Sequence, residues 1–202
     1  MTQSDRPMGA RAGRRRTGSG RAVDVLLIAG PAGSGKSTLG AALAARGRLP
    51  LLDLDTLTNP LLDALGPEPP AGHWNDASWR SVVRPARYAC LLAVAAEQVR
   101  TGTGAILVAP FSAEMSGGSE WEDLVSAVAP AVPVVCWLAS SAALRSARIA
   151  ARAEPRDRAA AAGTNASSPP RVPHLGLDAA LPTAAQVEQV FSVFTVPDAP
   201  AS

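Results

Sequence analysis

Lys36 is the single lysine of this 202-residue chain, whose other basic residues are all arginine. It lies within Gly30-Pro31-Ala32-Gly33-Ser34-Gly35-Lys36-Ser37-Thr38, which has the spacing G-x-x-x-x-G-K-[ST]. Glycines at these positions let successive backbone N–H groups turn inward around a phosphate. A lysine here reaches the β and γ oxygens of a nucleoside triphosphate, and Ser37 can hold Mg²⁺. Gly30, Ala32, Gly33, Ser34, Gly35, Lys36, Ser37 and Thr38 are therefore candidate nucleotide-binding residues.

That chemistry requires a strand before the loop and a helix after it. Val23, Val25, Leu26, Leu27 and Ile28 form an apolar, β-branched run of strand length. From Ser37 to Arg46 the chain reads as helix, with Leu39 and Leu43 one turn apart and four alanines between the loop and Arg46. Such a helix aims its free N–H groups at the phosphate. The motif is thus a P-loop in its proper setting.

Further along, Leu51 and Leu52 open a short second strand, ending in Asp53-Leu54-Asp55 and a turn-rich stretch through Pro60. A long helix is expected from Trp79 to about Arg100, with Leu91, Ala95 and Val99 on one face. Strands follow at 105–109 and 132–138, with a helix at 120–129 between them and another at 141–153. An Ala-, Pro- and Ser-rich stretch to Pro173 lacks periodicity and reads as mobile. Leu175 to Leu177 gives a fifth strand, and Val187, Val190, Phe191 and Phe194 mark a closing helix. This alternation calls for an α/β fold of three layers, a parallel sheet of about five strands covered on both faces. Ligands of such sheets bind beyond the strand C-termini, where the loop and both aspartates fall.

Six arginines, Arg6, Arg11, Arg14, Arg15, Arg16 and Arg21, crowd the segment 1–21 among Gly, Ser and Thr, which reads as a disordered basic arm. The remainder is slightly acidic, which argues against the folded part binding nucleic acid. Residues 22–196 form the expected domain, and 197–202 a tail. No segment approaches the roughly 20 apolar residues that span a membrane, and the first apolar run is too short for a signal-peptide core. A cytoplasmic protein is expected. Cys90 and Cys136 are expected as buried thiols, and neither His73 nor His174 has metal-ligand spacing.

The P-loop, Leu52-Asp53-Leu54-Asp55, Ala109-Pro110-Phe111 and Arg152 through Asp157 together resemble the small P-loop kinases. That group includes adenylylsulfate kinase, gluconate kinase, chloramphenicol phosphotransferase, and the polynucleotide kinase-like AAA kinases. The resemblance implies the P-loop NTPase fold with strand order 2-3-1-4-5. It makes Asp55 the base that takes the acceptor's proton, with Asp53 the alternative base or the holder of a Mg²⁺-bound water. The plain alternative is that both aspartates cap a turn. It also implies a lid over about 153–173, whose Arg152 and Arg156 are catalytic and whose neighbour Arg148 binds nucleotide. Arg145, Arg148 and Arg152 share a helix face at i, i+3 and i+7; solvated arginines are the bland reading.

His73, Trp74, Trp79, Arg80, Arg84, Arg87 and Tyr88 lie where these kinases place the acceptor; they suit a ring or an anion, or equally the core. One departure stands out. Related kinases often carry Asp-Ala-Pro-Phe at the end of the third strand, the Asp helping to organise Mg²⁺, where this chain has Val108-Ala109-Pro110-Phe111. The expected activity is transfer of the γ-phosphate of ATP, with Mg²⁺, to a hydroxyl of a small molecule. The alternatives are a nucleotide-binding regulator or degenerate kinase, favoured by Val108, and a polynucleotide 5′-hydroxyl kinase using the arginine arm.

Overall fold

The computed structural model describes residues 25–65, 77–152 and 168–193. The expectations for the arm, Val23, His73, Trp74, Arg156, Phe194, the tail and most of the lid lie outside these residues. Trp79, Arg80 and Arg152 are described in backbone only.

Five strands, β1 (Val25–Ala29), β2 (Leu51–Asp53), β3 (Ala105–Val108), β4 (Pro133–Ala139) and β5 (Leu175–Asp178), form one parallel sheet in the order β2-β3-β1-β4-β5. Every residue of β1 is buried, as a central strand covered on both faces must be. Alternate side chains serve two cores. Val25, Leu27, Leu107 and Val135 pack with α3 (Ala77–Arg100) and α4 (Ser119–Ala127), whereas Leu26, Ile28, Val108 and Leu138 pack with α1 (Lys36–Gly47) and α6 (Thr183–Val193).

Helix α1 lies very close to the sheet. A Cβ on Gly40 would stand 2.5 Å from Cγ2 of Val108 and 3.2 Å from Cδ1 of Leu51. Glycine at this position sets the spacing that brings the helix N-terminus to the strand edge.

The turn expected after Asp53 is a helix instead, α2 (Leu54–Ala64), with Pro60 inside it. Asp53 caps it: one carboxylate oxygen accepts from the N–H groups of Asp55 (2.9 Å) and Thr56 (3.3 Å). Pro60 costs one helical hydrogen bond, and the cap together with inward contacts carries the helix through. Leu54 packs into the core, and the other two inward side chains are polar. Thr58 and Asn59 are buried, while Leu61 and Leu65 are each 64% exposed on the outer face, with Leu57 beside them.

Helix α3 begins two residues before Trp79 and buries Leu91, Ala95 and Val99 as expected. Cys90, expected inside, is exposed, because the inward stripe runs through Tyr88 and Leu91 and leaves position 90 on the far side. Cys136 is buried, and burial pushes its thiol up to about 12. Helix α5 (Ala142–Arg152) precedes the stretch read as mobile, whose end is docked: the Arg171 N–H donates to Met115 O at 2.8 Å, and Val172 is buried. Among the described residues no helix is long and apolar enough to cross a membrane.

The close approach at Gly40 leads to a stability test. Gly40→Ala gains helix propensity of about 1 kcal/mol but overpacks the contact with Val108, a change that typically costs about 1–3 kcal/mol. Urea unfolding should show net destabilisation, partly recovered by adding Val108→Ala. A Gly40→Ala protein as stable as the parent would refute the constraint.

Candidate functional site

The loop between β1 and α1 winds through left-handed backbone at Gly33 (φ +75°) and Gly35 (φ +99°). Both positions are also tight for a side chain, Gly33 more so than Gly35. A Cβ on Gly33 would meet Arg145 O and Ile149 Cγ1 at 3.1 Å, and one on Gly35 would meet Arg148 Nη1 at 3.3 Å. Helix α1 starts directly at Lys36, so the first-turn N–H groups open onto the loop's hollow. The Lys36 ammonium donates to Pro31 O across the loop at 2.8 Å.

Asp53 reaches this loop from β2, which lies two strands from β1 in the sheet. Its Oδ2 accepts from Ser37 Oγ at 2.8 Å while its Oδ1 caps α2. Asp53 is also the register partner of Val108, the position where the related kinases carry their extra acid. Val108 itself is buried against α1. The capping reading is thus correct for one oxygen of Asp53 and leaves the other at the loop.

Asp55, in the first turn of α2, does not cap. Its carboxylate is half-exposed and accepts from Arg87 Nη2. Arg87 is fixed in turn by Thr58 Oγ1, which accepts from its Nε at 2.7 Å, and by Asn59 Oδ1 at 2.8 Å from Nη2. The sequence placed Arg87 in the acceptor segment without tying it to Asp55. The readable sign was two arginines, Arg84 and Arg87, on the helix face that otherwise carries Tyr88 and Leu91.

Gly33, Gly35, Lys36, Ser37, Asp53 and Asp55 line one cavity of about 130 Å³. A second cavity of about 350 Å³ adjoins the loop, between Ser34, Thr38 and Arg148 on one side and Thr183 and Gln186 on the other. Ser34 is almost wholly buried, and its Oγ has no hydrogen-bond partner. Ser37 Oγ and Asp53 Oδ2 are hard oxygen donors of the kind Mg²⁺ accepts beside phosphate oxygens, so the pair fits that ion. No cluster of three or more metal-ligating side chains occurs among the described residues.

The arginines of α5 divide. Arg148 bridges the P-loop and the end of β5, donating to Ser34 O and Ala179 O at 2.9 Å each. Arg145, grouped with it in the sequence, is buried and donates to Ser140 O at 2.7 Å, which anchors the start of α5. Tyr88 belongs to the core: its Oη accepts from the Phe111 N–H at 3.0 Å and its ring meets Phe111 edge-on. Burial pushes its hydroxyl up to about 12.

A Gly-rich phosphate loop on a β2-β3-β1-β4-β5 sheet, with carboxylates at the same edge, defines a P-loop protein of the small-kinase fold. The chain belongs to the AAA domain family, whose profile matches residues 25–167. Among solved structures it is similar to a candidate kinase of Chloroflexus aurantiacus, at 23% identity and TM-score 0.66, over 87% of this chain and 97% of the other. It is also similar to a gluconokinase of Sinorhizobium meliloti, at 20% identity and TM-score 0.56, over 85% and 91%. A sugar kinase of Janibacter aligns at 15% identity and TM-score 0.58, over 84% and 93%. A search of curated protein sequences gives no match.

The double duty of Asp53 can be separated by two substitutions. Asp53→Ala loses the cap and should cost about 1 kcal/mol in urea unfolding, whereas Asp53→Asn, itself a good cap, should unfold within about 0.5 kcal/mol of the parent. Equal losses in both would show that the cap is not what Asp53 contributes to stability.

Proposed function

We propose that the chain is an ATP-dependent kinase that transfers the γ-phosphate to a hydroxyl of a small molecule, with Mg²⁺. The observation that carries this reading is the meeting of Lys36, Ser37, Asp53 and Asp55 around one cavity. The loop N–H groups and the Lys36 ammonium hold the β and γ phosphates. Ser37 and Asp53 would hold Mg²⁺, which when bound draws charge from the phosphate oxygens. In the second cavity, Arg148 and Thr38 face the rest of the nucleotide.

Asp55 lies across from the phosphate loop and acts as general base. It accepts the proton of the acceptor hydroxyl; that oxygen bonds to the γ-phosphorus as the bond to the bridging β–γ oxygen breaks, leaving the electron pair on ADP. Arg87 orients Asp55 for this step. In the same reading Arg152 and Arg156 close over the phosphates and offset the charge that builds on the leaving group.

The missing acid at position 108 favours a regulator with little turnover as the rival reading. Asp53 answers it. Its register with Val108 puts a carboxylate one strand over, already bonded to Ser37.

ATP turnover should be screened against sugars, polyols, nucleosides and 5′-hydroxyl oligonucleotides, with product formation as readout. Nucleotide binding without turnover on any acceptor would leave the regulator. Lys36→Ala should abolish transfer while the protein stays folded, since one fixed charge over the transferring group is worth several kcal/mol in the transition state. Asp55→Asn should leave the KM for ATP within a few fold and lower kcat about a hundredfold or more. If Asp53→Asn proves the more damaging to kcat even at saturating Mg²⁺, the base is Asp53.

A further inference from the structure

Helix α2 carries its leucines on the wrong side for a surface helix. Together with its C-cap Leu65 it holds five, of which Leu54 is buried and Leu62 half-buried. Leu57, Pro60, Leu61, Ala64 and Leu65 are all exposed. Their spacing of i, i+3, i+4, i+7 and i+8 lines them along one face, the pattern with which a helix normally meets its own core. Here that face looks to solvent.

The inversion has its cause in the site. Thr58 and Asn59 are turned inward to accept from Arg87, at 2.7 and 2.8 Å, and Arg87 in turn holds Asp55. With positions 54, 58 and 59 facing in, the leucine stripe is left on the outer face. One exposed leucine is ordinary on a protein surface. Five contiguous apolar positions form a patch on the order of 300–400 Å², the size at which patches on single chains mark a binding surface.

We propose that two copies of this chain pair through this stripe, α2 against α2, about a two-fold axis. Leu57, Leu61 and Leu65 stand four residues apart and so form one continuous ridge. A ridge of that spacing interdigitates with a copy of itself at a crossing angle of about −50°, and a two-fold contact requires just such a self-complementary surface. The five stripe positions carry no charge, so no like charges meet within the seam. A lipid surface fits less well, because the charged residues of α2 are Asp55 and Asp63, with no lysine or arginine to hold anionic headgroups.

The area sets how tight the pairing is. Two stripes together supply roughly half of the 1,200 Å² at which stable interfaces begin, and the polar rim must supply the rest. That describes a reversible dimer, populated as concentration rises. Its effect on the site follows from Pro60, which lies in the stripe and costs α2 a helical hydrogen bond. A partner's leucines packed over this weak point steady the helix that presents Asp55 and the cradle of Arg87.

The test is sedimentation equilibrium of the full chain from low to high micromolar concentration, expected to show a reversible passage from monomer to dimer. Leu61→Glu combined with Leu65→Glu should raise the dissociation constant at least about tenfold. Above the association midpoint the melting temperature of the parent should climb by about 2 °C per tenfold rise in concentration, and that of the variant should stay level. Hydrogen exchange should report slower exchange of the 54–65 amides in the concentrated parent only. When dilute, the variant should melt within about 2 °C of the parent, since exposed helical positions tolerate such changes. If the double variant does not fold, Leu65→Lys alone carries the test, its cation suiting a helix C-terminus. A parent that stays monomeric throughout, or a dimer that neither variant weakens, overturns the proposal. So does a variant that loses stability equally at every concentration, which would place these leucines against their own chain. None of these readouts requires turnover, so the outcome is independent of the kinase reading.

Discussion

The whole site depends on how one carboxylate is shared. Asp53 gives one oxygen to Ser37 on the phosphate loop and the other to the N-terminus of α2. The first contact ties β2 to the start of α1. The second starts the helix that carries Asp55, Thr58 and Asn59. Without that cap a segment containing Pro60 has little reason to be helical, and neither Asp55 nor the polar cradle for Arg87 would be held in place. The Ser37 and Asp55 ends of the site are therefore mechanically one unit.

Helix α3 supplies the opposite wall by changing character along its length. Its C-terminal half inserts Leu91, Ala95 and Val99 under the sheet. The N-terminal half extends past the strand ends, and there the same face turns polar with Arg84 and Arg87. A helix that is apolar where it covers strands and cationic where it passes them sets the boundary between core and site.

Much of this was legible in the sequence. The phosphate loop, the five strands and the helical stripes of α1 and α3 follow from local pattern, because each residue's role is set by neighbours in the chain. What was not legible depends on partners far away. Asp53 and Asp55 were recognisable as candidates, but the cap that makes α2 a helix competes with Pro60, and propensity alone favoured a turn. Arg87 meets Asp55 across 32 positions, and Arg148 meets Ser34 across 114, separations that no periodicity encodes. Cys90 was misplaced because its apolar neighbours line the opposite side of the helix. Arg145 was misread for a related reason: a face shared on α5 does not say which arginine is swallowed by the turn before it.

The contact between Gly40 and Val108 also limits what position 108 can hold. An acidic residue at position 108 would stand beside Asp53 on the adjoining strand, two like charges in register. It would also enter a space that Val108 fills against a helix already drawn in to glycine distance. An acid at position 108 would therefore need a compensating change that moves α1 outward, and no single substitution there is free of cost.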